Sequence, residues 1–175
     1  VDSTKEQWIN LYNEYSRKCG IKLHSKDFSK RYEPNILFKY TFRGIEKYMP
    51  WINNVFLIVQ SDDQIPDFIN RNTIKIVYHE DFIPSQYLPT FNSNTIECFL
   101  HRIENLENLF IYGNDDVYIF NPCEASDFFT DGGYPRNNFR WIKNTNDFYS
   151  NKMLYCNSVI NNDLHLNDFE RDRYY

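Results

Sequence analysis

The stretch NVFLIV at residues 54–59 is a continuous apolar run rich in β-branched residues, and IKIVY at residues 74–78 repeats this character. An apolar run of this length is typical of a strand that is covered on both faces of its sheet. We therefore predict two buried strands, with one short helical turn at residues 65–69 between them.

Helical periodicity precedes these strands. In residues 2–17, aromatic residues and leucine recur at spacings of three and four, which predicts an amphipathic helix with Ser3 or Thr4 as its N-cap. A second helix is predicted over residues 35–49, because Pro50 cannot continue it.

The region after the second strand predicts one further helix and strand. The helix spans residues 95–108, with Asn94 as its N-cap and Glu97 in position for a capping box. The stretch LFIY at residues 109–112 predicts a third buried strand that ends at Gly113. This alternation of helices and strands predicts an α/β layered domain.

The pattern changes near residue 131. We predict one main α/β domain over residues 1–131, because GGYP at residues 132–135 interrupts the periodicity. Asn-rich, weakly periodic sequence follows. We expect residues 132–175 to be an irregular C-terminal lobe, a truncated continuation of the same domain.

Composition excludes several classes of protein. The chain of 175 residues suits one domain, and its 18% aromatic content is too high for a disordered chain. A net charge of -5 without a basic stripe argues against nucleic acid as the main partner. No apolar run approaches the roughly 18–20 residues of a transmembrane span. The four cysteines form no Cys-x-x-Cys motif, so we expect reduced thiols in the cytoplasm rather than a zinc site.

Asn114, Asp115 and Asp116 directly follow the third predicted strand. Ligands of open α/β sheets bind at the carboxyl ends of strands, and carboxylate oxygens there suit Mg²⁺ or Mn²⁺ and hence a diphosphate. Side chains alternate along a strand, so both carboxylates reach one ion only if the backbone turns, which Gly113 permits. The alternative is an ordinary acidic turn in a hairpin.

The start of the third predicted helix offers a second candidate site. Asn92 and Ser93 lie where free backbone N–H groups favour an anion. Glu97 and His101 are four residues apart and share a face, and the neighbouring Arg102 suits a phosphate. The alternative is that these residues cap the helix or form its solvated surface.

His79 ends the second strand, where a histidine could bind a phosphate or a metal, or act as an acid or base. It could equally be a satisfied polar group. Lys39 and Arg43 lie four apart on a predicted helix and could bind a diphosphate or simply aid solubility. The chain has no Gly-x-Ser-x-Gly, P-loop or Gly-x-Gly-x-x-Gly motif, which disfavours serine hydrolases, P-loop NTPases and dinucleotide-binding enzymes.

Taken in order, these motifs resemble the second conserved region of the stealth family over residues 31–129. The matching stretches are RY at 31–32, LxKYxxRxIExYxPWI at 37–52, HED at 79–81, LPTFNS at 88–93, IE at 96–97, HRI at 101–103 and FIYxNDD at 110–116. The family includes bacterial capsular and exopolysaccharide phosphotransferases. It also includes the animal enzyme that adds GlcNAc-1-phosphate to lysosomal glycoproteins.

The resemblance implies a GT-A-type, Rossmann-like fold of nucleotide-diphospho-sugar transferases. It implies transfer of a hexose-1-phosphate, for example GlcNAc-1-phosphate, from a UDP-sugar to a glycan or polysaccharide hydroxyl, with release of UMP and a divalent metal, Mg²⁺ or Mn²⁺, as cofactor. We expect this reaction in the cytoplasm, at the inner face of the membrane and without a transmembrane segment. Two alternatives stay open: a conventional UDP-sugar glycosyltransferase that releases UDP, and a non-catalytic module that binds a sugar nucleotide or a polymer.

The resemblance also implies roles for particular residues. Asp115 and Asp116 would hold the metal and form the catalytic set with Arg102 and His101. Substrate-binding roles fall to Asp2, Lys39, Arg43, His79, Asn92, Ser93, Glu97 and Asn114, with Asp2 on the uridine side. His79 and His101 are candidate general bases, but a further family histidine expected beyond Tyr175 is favoured. Because the family's first region would end at Val1-Asp2, we expect the chain by itself to lack parts that activity needs.

Overall fold

The computed structural model describes residues 5–20 and 35–136 of an α/β protein. The chain divides into two compact units, residues 1–127 and residues 128–175. The predicted domain boundary at residue 131 stays a prediction. The helices and strands, in chain order, are α1 (Glu6–Lys18), α2 (Lys39–Tyr48), β1 (Val55–Val59), β2 (Ile74–Tyr78), α3 (His79–Phe82), α4 (Ser93–Phe99) and α5 (Ala125–Phe128).

The two strands form a parallel pair, in register from Val55 opposite Ile74 to Val59 opposite Tyr78. Both predicted strands are therefore confirmed. A parallel pair needs a crossover connection, and residues 60–73 supply it. The connection contains a 3₁₀ turn at Asp62–Gln64. A second turn, closed by a 3.0 Å hydrogen bond from Ile69 N to Pro66 O, lies where one was predicted.

Apolar side chains cover both faces of β1, as its sequence predicts. Leu57 and Val59 pack on one face with Ile69, together with the half-buried Phe38 and Phe42. The alternate residues Phe56 and Ile58 pack on the other face, against a buried cluster of Val77, Phe82, Ile83, Leu100 and Ile103. Because side chains alternate along a strand, this division explains why the run is apolar without interruption.

The first two helices start later than their sequence predicts. The helix α1 begins after Lys5, which makes no side-chain cap, and the predicted caps Ser3 and Thr4 lie outside the described residues. The predicted start of α2 at residue 35 is wrong, because Asn35 Oδ1 accepts a hydrogen bond of 3.0 Å from Leu37 N. An Asn side chain that bonds the backbone two residues on favours a turn over a helix, so α2 begins only at Lys39.

The helix α4 is shorter than predicted and has a different cap. Its N-cap is Asn92, whose Oδ1 accepts from Asn94 N at 3.0 Å, so the predicted capping box of Asn94 and Glu97 is wrong. A 3₁₀ turn ends the helical backbone at Arg102 rather than at residue 108. Asn105 adopts φ 59°, the left-handed conformation, which a right-handed helix cannot contain.

The predicted third strand is wrong for the part of the chain that the structure describes. Residues 109–112 pair with no neighbour there, and the sheet has the two strands β1 and β2. The four side chains are 40–47% exposed rather than buried. An apolar run predicts the character of a strand, but a strand also needs a neighbour that completes its hydrogen bonds.

The described part of the second unit is a tight antiparallel loop. Phe129 and Pro135 form an isolated bridge, and Thr130 N donates to Tyr134 O at 2.8 Å. Gly133 has φ 76°, which allows the reversal of the chain. The rest of the predicted irregular lobe lies outside the described residues. Among the helices described in both units, none has the length and apolar character needed to cross a membrane.

Candidate functional site

A cleft of about 460 Å³ lies in the first unit, at the carboxyl ends of β1 and β2. Its volume is within the range of sites for small molecules, roughly 300–1,000 Å³. Its walls come from α1, the ends of both strands, the start of α4 and residues 112–116. The lining residues are Trp8, Phe38, Leu57, Ile58, Val59, Gln60, Gln64, His79, Thr90, Phe91, Ser93, Ile96, Tyr112, Asn114, Asp115 and Asp116.

The acidic motif forms a turn at the cleft. Val117 N donates a 3.1 Å hydrogen bond to Asn114 O, so Asp115 and Asp116 are the central residues of the turn. The sequence predicted that the backbone turns at Gly113. The turn in the structure lies two residues further along. Both aspartates are exposed, and both line the cleft. In a straight strand their side chains would point to opposite faces, so the turn is what brings the two carboxylates to one cavity.

The start of α2 and the turn before it hold this acidic segment through its backbone. The Asn35 amide donates to Asp115 O at 2.7 Å and to the Tyr118 hydroxyl at 2.8 Å. Six residues further along, Thr41 Oγ1 donates to Val117 O at 2.9 Å. These bonds position the carbonyl groups of Asp115 and Val117, the two neighbours of Asp116, although the segment belongs to no sheet of the described residues.

Close packing and further hydrogen bonds extend this attachment along α2. Gly44 is buried against Ile119, and a Cβ on Gly44 would lie 2.6 Å from Ile119 O. Beyond that contact, Cys123 N donates to Tyr48 O at 3.0 Å, and Trp51 Nε1 donates to Cys123 O at 2.6 Å. The backbone of residues 115–123 thus follows α2 from its start to just past its end.

Tyr112 is a site residue that the sequence did not single out. Its hydroxyl donates to Asn114 Oδ1 at 2.9 Å, and it lines the cleft. Burial raises the pKa of the Tyr112 phenol, and the nearby charges of Glu97 and Asp115 raise that pKa further. Glu97 and Asp115 are therefore within electrostatic range of the same ring. Its position two residues before the Asn-Asp-Asp motif is the signal that could have identified it.

His79 is the first residue of α3, directly after the end of β2, and it lines the cleft. It is buried, with 8% of its surface exposed, and its ring packs edge to face on Phe82 with centroids 6.5 Å apart. Burial lowers the pKa of the His79 imidazole to about 4, so the ring is uncharged at neutral pH. Its Nδ1 is buried without a hydrogen-bond partner in the described part of the protein.

An aromatic cluster forms the wall that contains Phe91. The Trp8 and Tyr12 rings of α1 stack with centroids 5.3 Å apart, and both meet Phe91 edge-on at 5.6 and 5.0 Å. The buried Thr90 accepts a hydrogen bond from Asn92 N at 3.2 Å, which fixes the backbone just before α4. Trp8, Thr90 and Phe91 line the cleft, and the sequence had not assigned them to the site.

The predicted site residues separate into two groups. The cleft brings together His79, Ser93, Asn114, Asp115 and Asp116. Six further described residues do not line it, namely Lys39, Arg43, Asn92, Glu97, His101 and Arg102. The roles of both groups stay predictions. Asp2 lies outside the described residues.

Aromatic rings accompany the cations that lie outside the cleft. Lys39 and Arg43 both lie over the Tyr40 ring, 5.3 and 5.4 Å from its centroid. The Arg102 guanidinium lies 6.0 Å from the centroid of Phe99. A cation over an aromatic face is a stabilising contact in its own right. The helical spacing of Lys39 and Arg43 therefore reflects at least this contact, whether or not they also meet a phosphate.

The donor set of the acidic turn suits a hard divalent cation. Within residues 5–20 and 35–136, no group of three or more His, Cys, Asp or Glu side chains is arranged to hold a metal. Two adjacent carboxylates and the Asn114 amide do line one cavity. Mg²⁺ is usually held by one or two carboxylates plus water and substrate phosphates, so this set fits an ion that is shared with a ligand.

The described unit is an α/β protein whose cleft lies at the carboxyl edge of parallel strands, as in ligand-binding α/β proteins generally. Conserved region 2 of the stealth proteins matches residues 31–137, which is more than half of the chain. The chain therefore belongs to the stealth family. This match confirms the resemblance found in the motifs.

Three curated relatives show the range of similarity. The receptor polysaccharide phosphotransferase WefC of Streptococcus oralis is 38% identical over 140 residues, 79% of this chain and 42% of the relative. The capsular polysaccharide phosphotransferase fcs1 of Haemophilus influenzae is 38% identical over 153 residues, 86% of this chain and 41% of the relative. The capsular polysaccharide phosphotransferase WcwK of Streptococcus pneumoniae is 36% identical over 140 residues, 79% and 42%. The chain thus spans about two fifths of the length of these relatives.

Proposed function

We propose that this chain is part of the catalytic domain of a sugar-1-phosphate transferase of capsular or exopolysaccharide synthesis. It would transfer a hexose-1-phosphate from a UDP-sugar to a glycan hydroxyl and release UMP. The observation that carries the proposal is that Asp115 and Asp116 both line a cleft at the carboxyl ends of parallel strands. Relatives named as polysaccharide phosphotransferases over most of the chain support the same reaction.

The chemistry requires one bond to form and one to break. The acceptor oxygen bonds to the β-phosphorus, which carries the sugar. The bond from that phosphorus to the oxygen bridging to the α-phosphorus breaks, and UMP leaves with the bridging oxygen. The acceptor proton passes to a general base, for which His101 and a histidine beyond Tyr175 are the candidates we retain. Such a reaction depends mostly on positioning and on neutralising charge.

Asp115 and Asp116 would hold a Mg²⁺ or Mn²⁺ ion, with the Asn114 amide beside them. When bound, such an ion neutralises the negative charge of the diphosphate and of the leaving UMP. The hydrogen bonds from Asn35 and Thr41 hold the backbone that carries the two carboxylates before the substrate arrives. Ser93, at the first turn of α4, would bond the sugar or a phosphate oxygen.

We further propose that the complete fold is of the GT-A, Rossmann-like type. A parallel pair with a ligand cleft at its carboxyl edge supports this assignment. Glu97, Lys39, Arg43 and Arg102 would then act from outside the cleft, on the acceptor or on phosphate oxygens. A cytoplasmic location at the inner face of the membrane agrees with the unpaired thiols of Cys19, Cys98 and Cys123.

Identification of the released nucleotide tests the proposal. The full-length protein is incubated with Mg²⁺ or Mn²⁺, a panel of UDP-sugars and a glycan acceptor. We expect UMP, and we expect Asp116→Ala to lower turnover on the order of 10²–10³-fold, as for loss of one positioned electrostatic contact. The matched control is Asp67→Asn, an exposed carboxylate outside the cleft, which should keep full turnover.

The other outcomes distinguish the alternatives. Release of UDP would replace the proposal with a conventional glycosyltransferase, in which the attacked atom is the anomeric carbon. Saturable binding of a UDP-sugar without any turnover would indicate a non-catalytic binding module. Normal UMP release by Asp116→Ala would contradict the role given to the acidic turn.

A further inference from the structure

The imidazole of His79 has a hydrogen-bonding capacity that the described protein leaves unused. The residue is more than nine-tenths buried, and its Nδ1 has no partner in the described part of the chain. Buried side-chain nitrogens almost always have a partner, so such an orphan calls for a specific explanation. His79 is also among the residues that line the cleft, so a ligand bound there is a candidate partner for the ring.

The chemistry of the ring narrows the class of that ligand. Because burial lowers the pKa of His79 to about 4, the ring is neutral in the physiological range. A neutral imidazole carries one N–H donor and one acceptor nitrogen, and either of them can bond a hydroxyl group, which both accepts and donates. A phosphate oxygen offers only acceptors and is better served by a cation. Rotation of the ring by 180° exchanges its edges, so either nitrogen can face the cavity.

The surroundings of His79 agree with a ligand that is uncharged at this point. The nearest part of the wall consists of the ends of β1, where Leu57, Ile58 and Val59 line the cleft. The carboxylates that suit a metal and a diphosphate belong to a different segment, residues 115–116. The cleft thus has one acidic wall and one wall of apolar and uncharged polar residues, in which His79 lies with Gln60 and Gln64.

We propose that His79 is a ligand-recognition residue that hydrogen-bonds a hydroxyl of the sugar nucleotide, rather than a phosphate ligand or the general base. The identity of the ligand rests on the proposed function. The hydroxyl belongs either to the ribose or to the transferred sugar. Both have the same chemistry, and different nucleotides distinguish them.

Calorimetric binding to the full-length protein tests this role without any need for turnover. UMP contains the ribose alone, whereas UDP-GlcNAc contains both sugars. The variant His79→Phe keeps a ring of similar size but cannot form the bond, and His79→Gln keeps a donor and an acceptor. Thermal unfolding verifies that each variant folds, and His79→Met replaces His79→Phe if the latter does not.

We expect His79→Phe to weaken UDP-GlcNAc binding about three- to tenfold, which is the usual worth of one neutral hydrogen bond, and His79→Gln to restore most of it. An equal loss for UMP assigns the bond to the ribose, and a loss for UDP-GlcNAc that neither UMP nor UDP shares assigns it to the transferred sugar. A loss shared by UDP but absent for UMP would indicate a contact with the β-phosphate and would overturn the proposal. Equal affinities for all folded variants would overturn the proposal, as would an unaltered protein that binds neither nucleotide. Release of UDP instead of UMP in the turnover assay would overturn the proposed reaction but not this result.

Discussion

Two walls of the cleft, which we call the strand wall and the acidic wall, are built in different ways. The strand wall, made of β1, β2 and α3, is held by apolar packing on both faces of the sheet, and Phe82 beside His79 is only 3% exposed. The acidic wall, residues 109–120, pairs with no described strand and is mostly exposed. Hydrogen bonds from Asn35 and Thr41 to its backbone hold it, together with close contact at Gly44.

The difference indicates that one wall mainly stabilises the fold and the other mainly positions the site. Packing of large apolar side chains contributes most of the free energy of folding, and it also fixes the edge of the sheet where His79 lies. Directed hydrogen bonds to a backbone contribute little stability each, but they define the position of the peptide groups. We therefore expect mutations in the strand wall to lower stability, and mutations at the attachment of the acidic wall to lower turnover.

The largest expected effect comes from the core of the strand wall. Phe82→Ala should lower the free energy of unfolding by about 3–5 kcal/mol, because it removes a buried ring and leaves a cavity. The matched change in the acidic wall is Phe120→Ala, at a ring that is 71% exposed, and it should stay within about 0.5 kcal/mol. Urea unfolding measures both values. Similar losses for the two variants would erase the distinction between the walls.

The strand wall should also lose stability in acid because of His79. Its pKa is about 4 in the folded protein and 6.5 as the ordinary value, so between these limits the unfolded state binds more protons. The stability that the neutral His79 ring contributes is fully present above pH 6.5 and is lost as the pH falls toward 4. From pH 7.5 to pH 4.5 it amounts to roughly 2–3 kcal/mol.

Urea unfolding at these two pH values, for the unaltered protein and for His79→Gln, isolates this contribution. The variant lacks the titrating ring, so its stability should fall less with acid by about that amount. An identical pH dependence in both proteins would show that His79 is not held neutral by burial.

The contact between Gly44 and Ile119 should link α2 to turnover. Alanine normally favours a helix over glycine by about 1 kcal/mol. Here its Cβ would lie 2.6 Å from a backbone oxygen, so the acidic wall must move. We expect Gly44→Ala to cost about 1–3 kcal/mol of stability by overpacking and to lower turnover at least tenfold.

Gly113→Ala is the matched control for this substitution. Gly113 lies in the acidic wall itself, but an added Cβ would meet nothing within 4 Å. Its φ is also outside the left-handed region in which alanine is strained. Nucleotide release and thermal unfolding compare the two variants, and a Gly44→Ala protein with unchanged turnover would show that this contact does not position the carboxylates.

The smallest expected effect is that of Thr41→Val, which removes the hydrogen bond to Val117 O. It should cost about 1 kcal/mol or less in unfolding free energy, since the carbonyl remains exposed, while turnover falls severalfold. Thr73→Val removes a comparable bond to Asn70 O in the crossover connection. That variant should lose similar stability and keep its turnover. Equal turnover in both variants would contradict a positioning role for Thr41.

The sequence predicts the strand wall better than the acidic wall. The apolar runs of β1 and β2 predict their strands correctly, because a short strand that is covered on both faces of its sheet is apolar along its whole length. The run at residues 109–112 has the same character, but no strand in the described part of the chain pairs with its backbone. The periodicity after α4 likewise continues through Ile103 and Leu106, although the helical backbone ends at Arg102.

The candidate site shows the same contrast. The types of residue at 114–116 predict an acidic ligand set, and five of the predicted residues line one cleft. Thr90 and Phe91 were missed, because nothing in their local pattern distinguishes a residue that lines a cavity from one in a core. Tyr112 was missed although it lies close to the acidic motif. The cations at positions 39, 43 and 102 have the right spacing for a phosphate, but they lie over aromatic rings outside the cleft.

The sequence by itself determined the α/β class, the two buried strands, the carboxylate and amide side chains of the acidic motif and membership of the stealth family. These properties depend on residue type and on spacing along the chain, which are local. Only the tertiary structure decided that the backbone turns at Asp115 and Asp116, that α2 holds this turn, and that His79 is buried with no partner for its Nδ1 among the described residues. Those properties depend on which distant groups come within hydrogen-bonding or contact distance, and that is set by how the whole chain packs.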